Sequence, residues 1–304
     1  MKVLVTGATG NQGSAVVRHS LRSGHEVYAL VRDPQAHKAV ELEQQGVTLI
    51  QGNMDQVDSL APAFEGMEAV FSLQNFWTAG HLGEFFQGRA VINAARAAGV
   101  KKFVQTTGGI NPGQGSANME VKAIIEALAR EAFPNAFILR PVWFIDGLNL
   151  TSFNQETGTF EFVTAPDQPH VWVACDDIGK IVAKAFSNFD DFAGLTMNFA
   201  SQVNTANEMV ASFNKTFDTS LRYHQFSDAE LDTKIQSWAS GPAFRHELEA
   251  IFFKNIRTVN FSVDWELHDR LLPNRHSLDS WTEEFAKPLW RKGLTASLSA
   301  LSSK

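Results

Sequence analysis

The 304-residue chain has one cysteine, Cys175, and two tyrosines, Tyr28 and Tyr223. A lone cysteine excludes an internal disulfide and fits a reducing compartment. Cys175 precedes Asp176-Asp177 and is open to two readings, a small buried hydrophobe or a reactive thiol. No apolar run approaches the ~20 residues that span a bilayer. Met1-Lys2-Val3 runs directly into an apolar strand, without the h-region of a signal peptide. A cytoplasmic protein without membrane contact is therefore expected. Positive charge is also short, with a net charge of −7, so no direct nucleic-acid binding is expected. The nine histidines form no H-E-x-x-H or comparable metal spacing. There is no G-x-S-x-G elbow and no G-K-[ST] after a glycine loop, which disfavours hydrolase and nucleotide triphosphatase chemistry.

What is present begins at residue 3. Val3-Leu4-Val5-Thr6-Gly7-Ala8-Thr9-Gly10-Asn11-Gln12-Gly13 is an apolar strand that breaks into glycines spaced by three and continues as a helical pattern. A tight strand-to-helix turn needs backbone angles that glycine adopts freely. A pyrophosphate must come close to main-chain N–H groups at a helix start. The third glycine permits close helix–strand packing. The spacing is G-x-x-G-x-x-G rather than G-x-G-x-x-G, so a merely structural turn stays open beside dinucleotide binding. On the binding reading, Gly7, Thr9, Gly10, Asn11, Gln12 and Gly13 form the phosphate loop.

Hydrophobic content of 44% over this length supports a sizeable core. Strand patterns at Lys2–Thr6, Glu26–Val31, Thr48–Gln51, Ala69–Leu73, Phe103–Thr107 and Ala136–Leu139 alternate with helix patterns at Gln12–Ser23, Gln35–Gln45, Asp58–Glu65, Leu82–Ala98 and Ser116–Glu131. Such alternation predicts βαβ units, hence a doubly wound parallel α/β sheet of Rossmann type with ligand at the carboxyl ends of its strands. The expected division is 1–150 as the dinucleotide domain and 151–304 as a smaller, mostly helical subdomain, with 175–200 returning to the sheet. The later part is rich in Phe and Trp (Trp238, Phe244, Phe252, Phe253, Trp265, Trp281, Phe285, Trp290), which are core residues or line a substrate or partner surface. The serine-rich end Ser297–Lys304 is expected to fray.

Strand ends supply the remaining candidates. The second strand ends Val31-Arg32-Asp33-Pro34, with His37 and Lys38 following. NAD binders place an acid about 20 residues beyond the glycines; a guanidinium here suits a 2′-phosphate instead. NADP(H) is thus favoured, with Asp33 as a complication and a solvated surface charge as the alternative for Arg32. Asn53, after the third strand, is open to adenine bonding or an ordinary loop role. The fourth strand runs into Gln74-Asn75-Phe76-Trp77, where Asn75 can line a cofactor cleft and the aromatics can equally be core. Thr107-Gly108-Gly109 follows the fifth strand. The loops Gln74–His81 and Gly108–Ser116 are expected to order on binding dinucleotide.

Together, Thr6–Gly13, Val31-Arg32-Asp33-Pro34, Gly46-Val47 leading to Gln51-Gly52-Asn53, and Asn75-Phe76-Trp77 resemble the NmrA-like family, an atypical branch of the short-chain dehydrogenase/reductases. The likeness extends through Arg140–Phe144, Asp176–Gly179 and Leu278–Trp281. It implies an NADP-binding Rossmann domain and a smaller C-terminal part that closes a cleft. Ordinary members of the superfamily use Tyr-x-x-x-Lys for proton transfer. Here Arg32 and Ser227 stand four residues after the two tyrosines, and four residues before Lys122, in the tyrosine's place, is Asn118, an amide that cannot act as acid or base. Lys122 has three readings: a bond to the nicotinamide ribose as in the family, a tentative catalytic base, or a solvated lysine. Thr107 sits where the superfamily often has a hydroxyl near the substrate. The missing pair tips the expectation toward a redox sensor or regulatory binding protein acting on a protein partner. The alternative is an NADPH-dependent reductase of quinones or related small molecules, since a quinone can collect its proton from water.

Overall fold

The computed structural model describes residues 1–109, 116–147, 153–154, 157–238 and 261–288. The first half alternates strands β1 (Lys2–Val5), β2 (Glu26–Val31), β3 (Thr48–Gln51), β4 (Ala69–Ser72), β5 (Lys102–Thr106) and β6 (Phe137–Pro141) with helices. The helices are α1 (Asn11–Arg22), α2 (His37–Gln44), α3 (Ala61–Phe64), α4 (Phe76–Ala97) and α5 (Ala117–Ala132). Seven strands form one parallel sheet in the order 3-2-1-4-5-6. The seventh, β11 (Thr196–Phe199), joins the β6 edge in register Thr196↔Ile138. The order reverses between β1 and β4, the crevice where doubly wound sheets bind ligands. β1 and β4 are buried on both faces, as strands covered by helices on two sides must be.

Two helices differ from the periodic expectation. Asp58–Glu65 is a 3₁₀ turn, Val57–Ser59, followed by the short α3. Pro62 explains the break: it has no N–H and fits only the first turn of a helix. The expected loop Gln74–His81 is largely helical, because α4 starts at Phe76 and breaks at Gly80, whose φ is 69°. Asn75 starts it by accepting a hydrogen bond from the Trp77 N–H at 3.0 Å.

Beyond residue 150, β7 (Trp143–Phe144), β10 (His170–Val173) and β12 (Gln202–Asn204) form one small sheet. β8 (Phe153–Asn154), β9 (Thr159–Phe162) and β13 (Arg222–Gln225) form another. Helices α6 (Cys175–Ser187), α7 (Ala206–Phe217), α8 (Asp228–Trp238), α9 (Trp265–Leu271) and α10 (Leu278–Trp281) accompany them. The pairing into two sheets carries no local signal, because β7, β8 and β12, of two or three residues each, have too little periodicity to read. Trp172, Phe160, Phe213 and Trp281 form the core here. Phe244, Phe252, Phe253, Trp290, Ser297–Lys304 and most of the expected loop Gly108–Ser116 (110–115) lie outside the described residues.

Helix α6 packs along α1. Gly179 allows this, since a Cβ there would overlap the Ala15 carbonyl. Asp176 binds Arg18 Nη2 and His19 Nε2 of α1, each at 2.7 Å, and His276 Nε2 at 3.2 Å. Asp177, fully buried, accepts from Lys180 (2.7 Å), the Ser201 hydroxyl (2.6 Å) and the His276 N–H (2.8 Å). Asp176, Asp177 and His276 come close enough to hold a metal ion. Lys180 Nζ, bonded to all three, already supplies the cation. This network ties α1 to α6 and to His276.

Candidate active site

The glycine turn is a backbone cradle. Gly7 has φ of 65°, and a Cβ there would press on Leu73 at 2.9 Å. The Gly10 N–H donates to the Gly7 carbonyl at 3.0 Å, and a Cβ at Gly13 would overlap that carbonyl. Helix α1 starts at this turn with no side-chain cap and no acid in its first turn. Its first N–H groups have no acceptor within the helix and carry the positive end of its dipole. Thr9, Gly10 and Asn11 are exposed around them. The cradle leaves room that side chains would fill and presents donors to an anion, so it fits a pyrophosphate. Gln12 faces inward instead, its Oε1 accepting from the Thr106 hydroxyl at 3.2 Å.

Arg32 and Lys38 are exposed at the end of β2 and in the first turn of α2. The Asp33 carboxylate accepts from the Gln35 N–H at 2.8 Å, which occupies it in a local turn. Asn53 is half-buried after β3; its Oδ1 accepts from the Asp55 N–H at 3.0 Å. Asn75 caps α4. Gly7, Arg32, Asn53, Asn75 and Thr107 thus follow the carboxyl ends of β1 to β5, brought to one edge by the parallel sheet.

Lys122 is not a solvated lysine. Its side chain is 12% exposed and Nζ donates to Glu84 Oε1 at 2.5 Å and to Asn118 Oδ1 at 2.7 Å. Nζ also lies 4.8 Å from the Phe76 ring centroid. The stem runs beside Gly108, where a Cβ would sit 3.6 Å from it. This places the amine between the ends of β4 and β5. Thr107 turns its hydroxyl to Glu126 Oε1 at 2.8 Å. Glu126 is also held by Arg140 through two bonds of 2.8 and 2.6 Å, and by Arg130 at 3.1 Å. Phe261 closes over Gly109, where a Cβ would come within 2.5 Å of its ring.

Glu84 and Glu126 escape sequence reasoning. Glu126 lies four residues after Lys122, on the same helix face, which is a faint signal. Glu84 has none, being one polar residue in an otherwise ordinary helix. Cys175 is buried; burial and the nearby Asp146 carboxyl push its thiol well above the usual range, so it is not a reactive thiolate.

The sheet order, the switch point and the glycine cradle define a Rossmann-type α/β protein. The chain belongs to the NmrA-like family, whose model matches residues 1–281. It is 29% identical over 249 residues to an NmrA-like family domain-containing oxidoreductase of Penicillium ochrochloron, covering 73% of this chain and 74% of that protein. The fold is similar to that of NmrA, a negative transcriptional regulator solved in complex with NADP (TM-score 0.76, 18% identity, 98% of both chains). It is also similar to an NADPH-dependent quinone oxidoreductase from Escherichia coli (TM-score 0.72, 21% identity, 91% of this chain and 97% of that one). No described helix is long and apolar enough to cross a membrane.

Proposed function

We propose that this chain is an NADP(H)-dependent reductase of quinones or related small conjugated carbonyl compounds, working in the cytoplasm. The observation that carries the redox reading is Lys122, a paired ammonium kept at the mouth between β4 and β5 beside Gly108. Gly7, Thr9, Gly10, Asn11 and Gly13 would hold the pyrophosphate. Arg32 and Lys38 would take the 2′-phosphate, Asn53 the adenine side, and Asn75, Thr107 and Lys122 would border the nicotinamide half. When bound, NADPH supplies a hydride. Residues 1–150 carry the dinucleotide, and the part after 150 closes over the substrate.

The division of labour follows from what the chain lacks. Asn118, in the tyrosine's place, is 4% exposed and accepts from Lys122, so it orients the lysine and cannot donate a proton to a substrate. A carbonyl that must be protonated by a positioned acid is therefore a poor substrate. A quinone, whose reduced form takes its proton from water, is a better one. The oxidoreductase relative and the quinone oxidoreductase neighbour support this reading. A second reading, a dinucleotide sensor acting on a protein partner, is favoured by the same Asn118 and by the likeness to NmrA.

Steady-state NADPH oxidation with a panel of quinones separates the two. Turnover above about 1 per second, near the low end of ordinary enzymes, establishes the reductase. NADPH binding without turnover on any quinone establishes the sensor.

A further inference from the structure

Glu84 is a buried carboxylate in a place where packing does not require one. It stands on α4, one turn beyond the Gly80 break, with its side chain 4% exposed. Helices α4 and α5 already hold together by close apolar contact. Gly88 lets α4 approach Ile125, where a Cβ would lie 3.1 Å from that side chain. Ala90, Val91, Ile92 and Ala95 share one core cluster with Ile125 and Ala129. A buried ion pair adds little to such an interface, because desolvating two charges offsets most of their attraction. Glu84 is also incompletely used: Oε1 accepts from Lys122, while Oε2 is buried with no hydrogen-bond partner among the described residues.

We propose that Glu84 is the positioning residue of the reductase site, which holds Lys122 charged and in place so that its ammonium stabilises the oxygen that becomes anionic when the acceptor is reduced. The inference rests on the reductase reading. Burial alone disfavours an ammonium, and a carboxylate in contact with it restores the charged form. Burial holds the Glu84 carboxyl above its ordinary value, and the charge and hydrogen bond of Lys122 offset part of that rise. A preorganised cation at a developing oxyanion lowers the barrier without giving up its own proton. The reduced dinucleotide supplies the hydride, which carries both electrons. The acceptor oxygen becomes anionic, and water supplies the proton that completes the hydroquinone. No N–H bond of Lys122 breaks. Asn118 fixes the second direction of the amine, and the Phe76 ring lies below it.

Among the described residues, two further titratable groups stand beside the pair on its own helices. His81, three residues before Glu84 on α4, stacks on Phe76 with ring centroids 5.9 Å apart. Glu126, one turn along α5, is neutralised by Arg140 and Arg130. Neither replaces Glu84 as the direct partner of Lys122.

The test uses the full chain and Glu84→Gln, which keeps shape and removes charge, with Glu84→Asp as the conservative rescue. Lysine amines are labelled by reductive ¹³C-methylation and titrated by NMR without dinucleotide, the Lys122 signal being assigned by its loss in Lys122→Arg. Loss of charge at Lys122 should come about 1–3 pH units lower in Glu84→Gln. The rate of quinone reduction should then fall with it. About tenfold or more should be lost on the alkaline side and little near pH 6, where the amine is charged in both forms. KM for NADPH should change less than kcat, and Glu84→Asp should restore part of the alkaline activity. A Glu84→Gln chain whose Lys122 titrates as before, or whose rate falls equally at every pH, overturns the proposal. Absence of turnover in the unmodified chain would sink the reductase reading and the oxyanion role with it. The dinucleotide-free titration would still decide whether Glu84 governs the charge of Lys122.

Discussion

Arg32 and the glycines show what a single residue decides at this site. Asp33, which a 2′-phosphate would meet as a repulsive charge, is occupied by the Gln35 N–H. Arg32 is left exposed at the strand end. Arg32→Ala should therefore weaken NADPH by about 1.5–3 kcal/mol, roughly tenfold to over a hundredfold, and leave NADH almost unchanged. Isothermal titration of both cofactors measures this; equal affinities in the unmodified chain would refute the NADP assignment. The glycines make a sharper contrast. A Cβ at Gly13 overlaps the Gly7 carbonyl, whereas one at Gly10 meets only that carbonyl at 3.4 Å. Gly13→Ala should destabilise the fold by at least the ~1–3 kcal/mol of an overpacked core. Gly10→Ala should fold within about 0.5 kcal/mol of the original, yet bind NADPH more weakly. Urea unfolding and cofactor titration on the two variants separate the roles.

Between elements, the contact that matters most is α1 against α6. Asp176 and Asp177 stand in the first turn of α6, at the positive end of its dipole. Asp176 also reaches Arg18, His19 and His276. Burial pushes the Asp176 carboxyl up, but the bonds from His19, His276 and Arg18 outweigh it and hold it well below the usual carboxylate range. A folded carboxyl held below its unfolded value stabilises the fold above the ordinary aspartate range. That contribution is lost as pH falls from about 4 downward through the folded value. Asp176→Asn should cost about 3–5 kcal/mol near neutrality, as removing one partner of a buried pair does. The deficit should shrink as pH falls below about 4. Urea melts of both chains between neutral and acid pH test the amount and the sign.

For the whole molecule, the dinucleotide should couple regions that are distant in sequence. The first turn of α4 follows β4, and Gly108-Gly109, with Lys122 beside Gly108, follows β5, at the same carboxyl edge of the sheet as the glycine cradle. NADPH at about a hundred times its Kd should raise stability by about 2.7 kcal/mol, seen as a higher unfolding midpoint. Hydrogen exchange should slow at Gly7–Gly13, in the first turn of α4 and around Lys122. Protection confined to the cradle and Arg32 would mean that the adenosine half alone is held, and that the mouth is not coupled to binding.

Local patterns determined the parallel sheet. Short apolar runs, the glycine spacing and the helices between them are short-range properties, and β1 to β6 stand within a residue or two of where they predict. The same holds for strand-end candidates such as Arg32 and Asn75, since strand direction alone brings carboxyl ends to one edge. Glu84 meeting Lys122 and Asp176 meeting His276 were decided only by the tertiary structure. Each joins residues 38 or 100 apart in the chain, through charges that have no periodicity of their own. A buried carboxylate looks the same in sequence as a solvated one. Only the packing that removes its water, and the partner that replaces it, set its role.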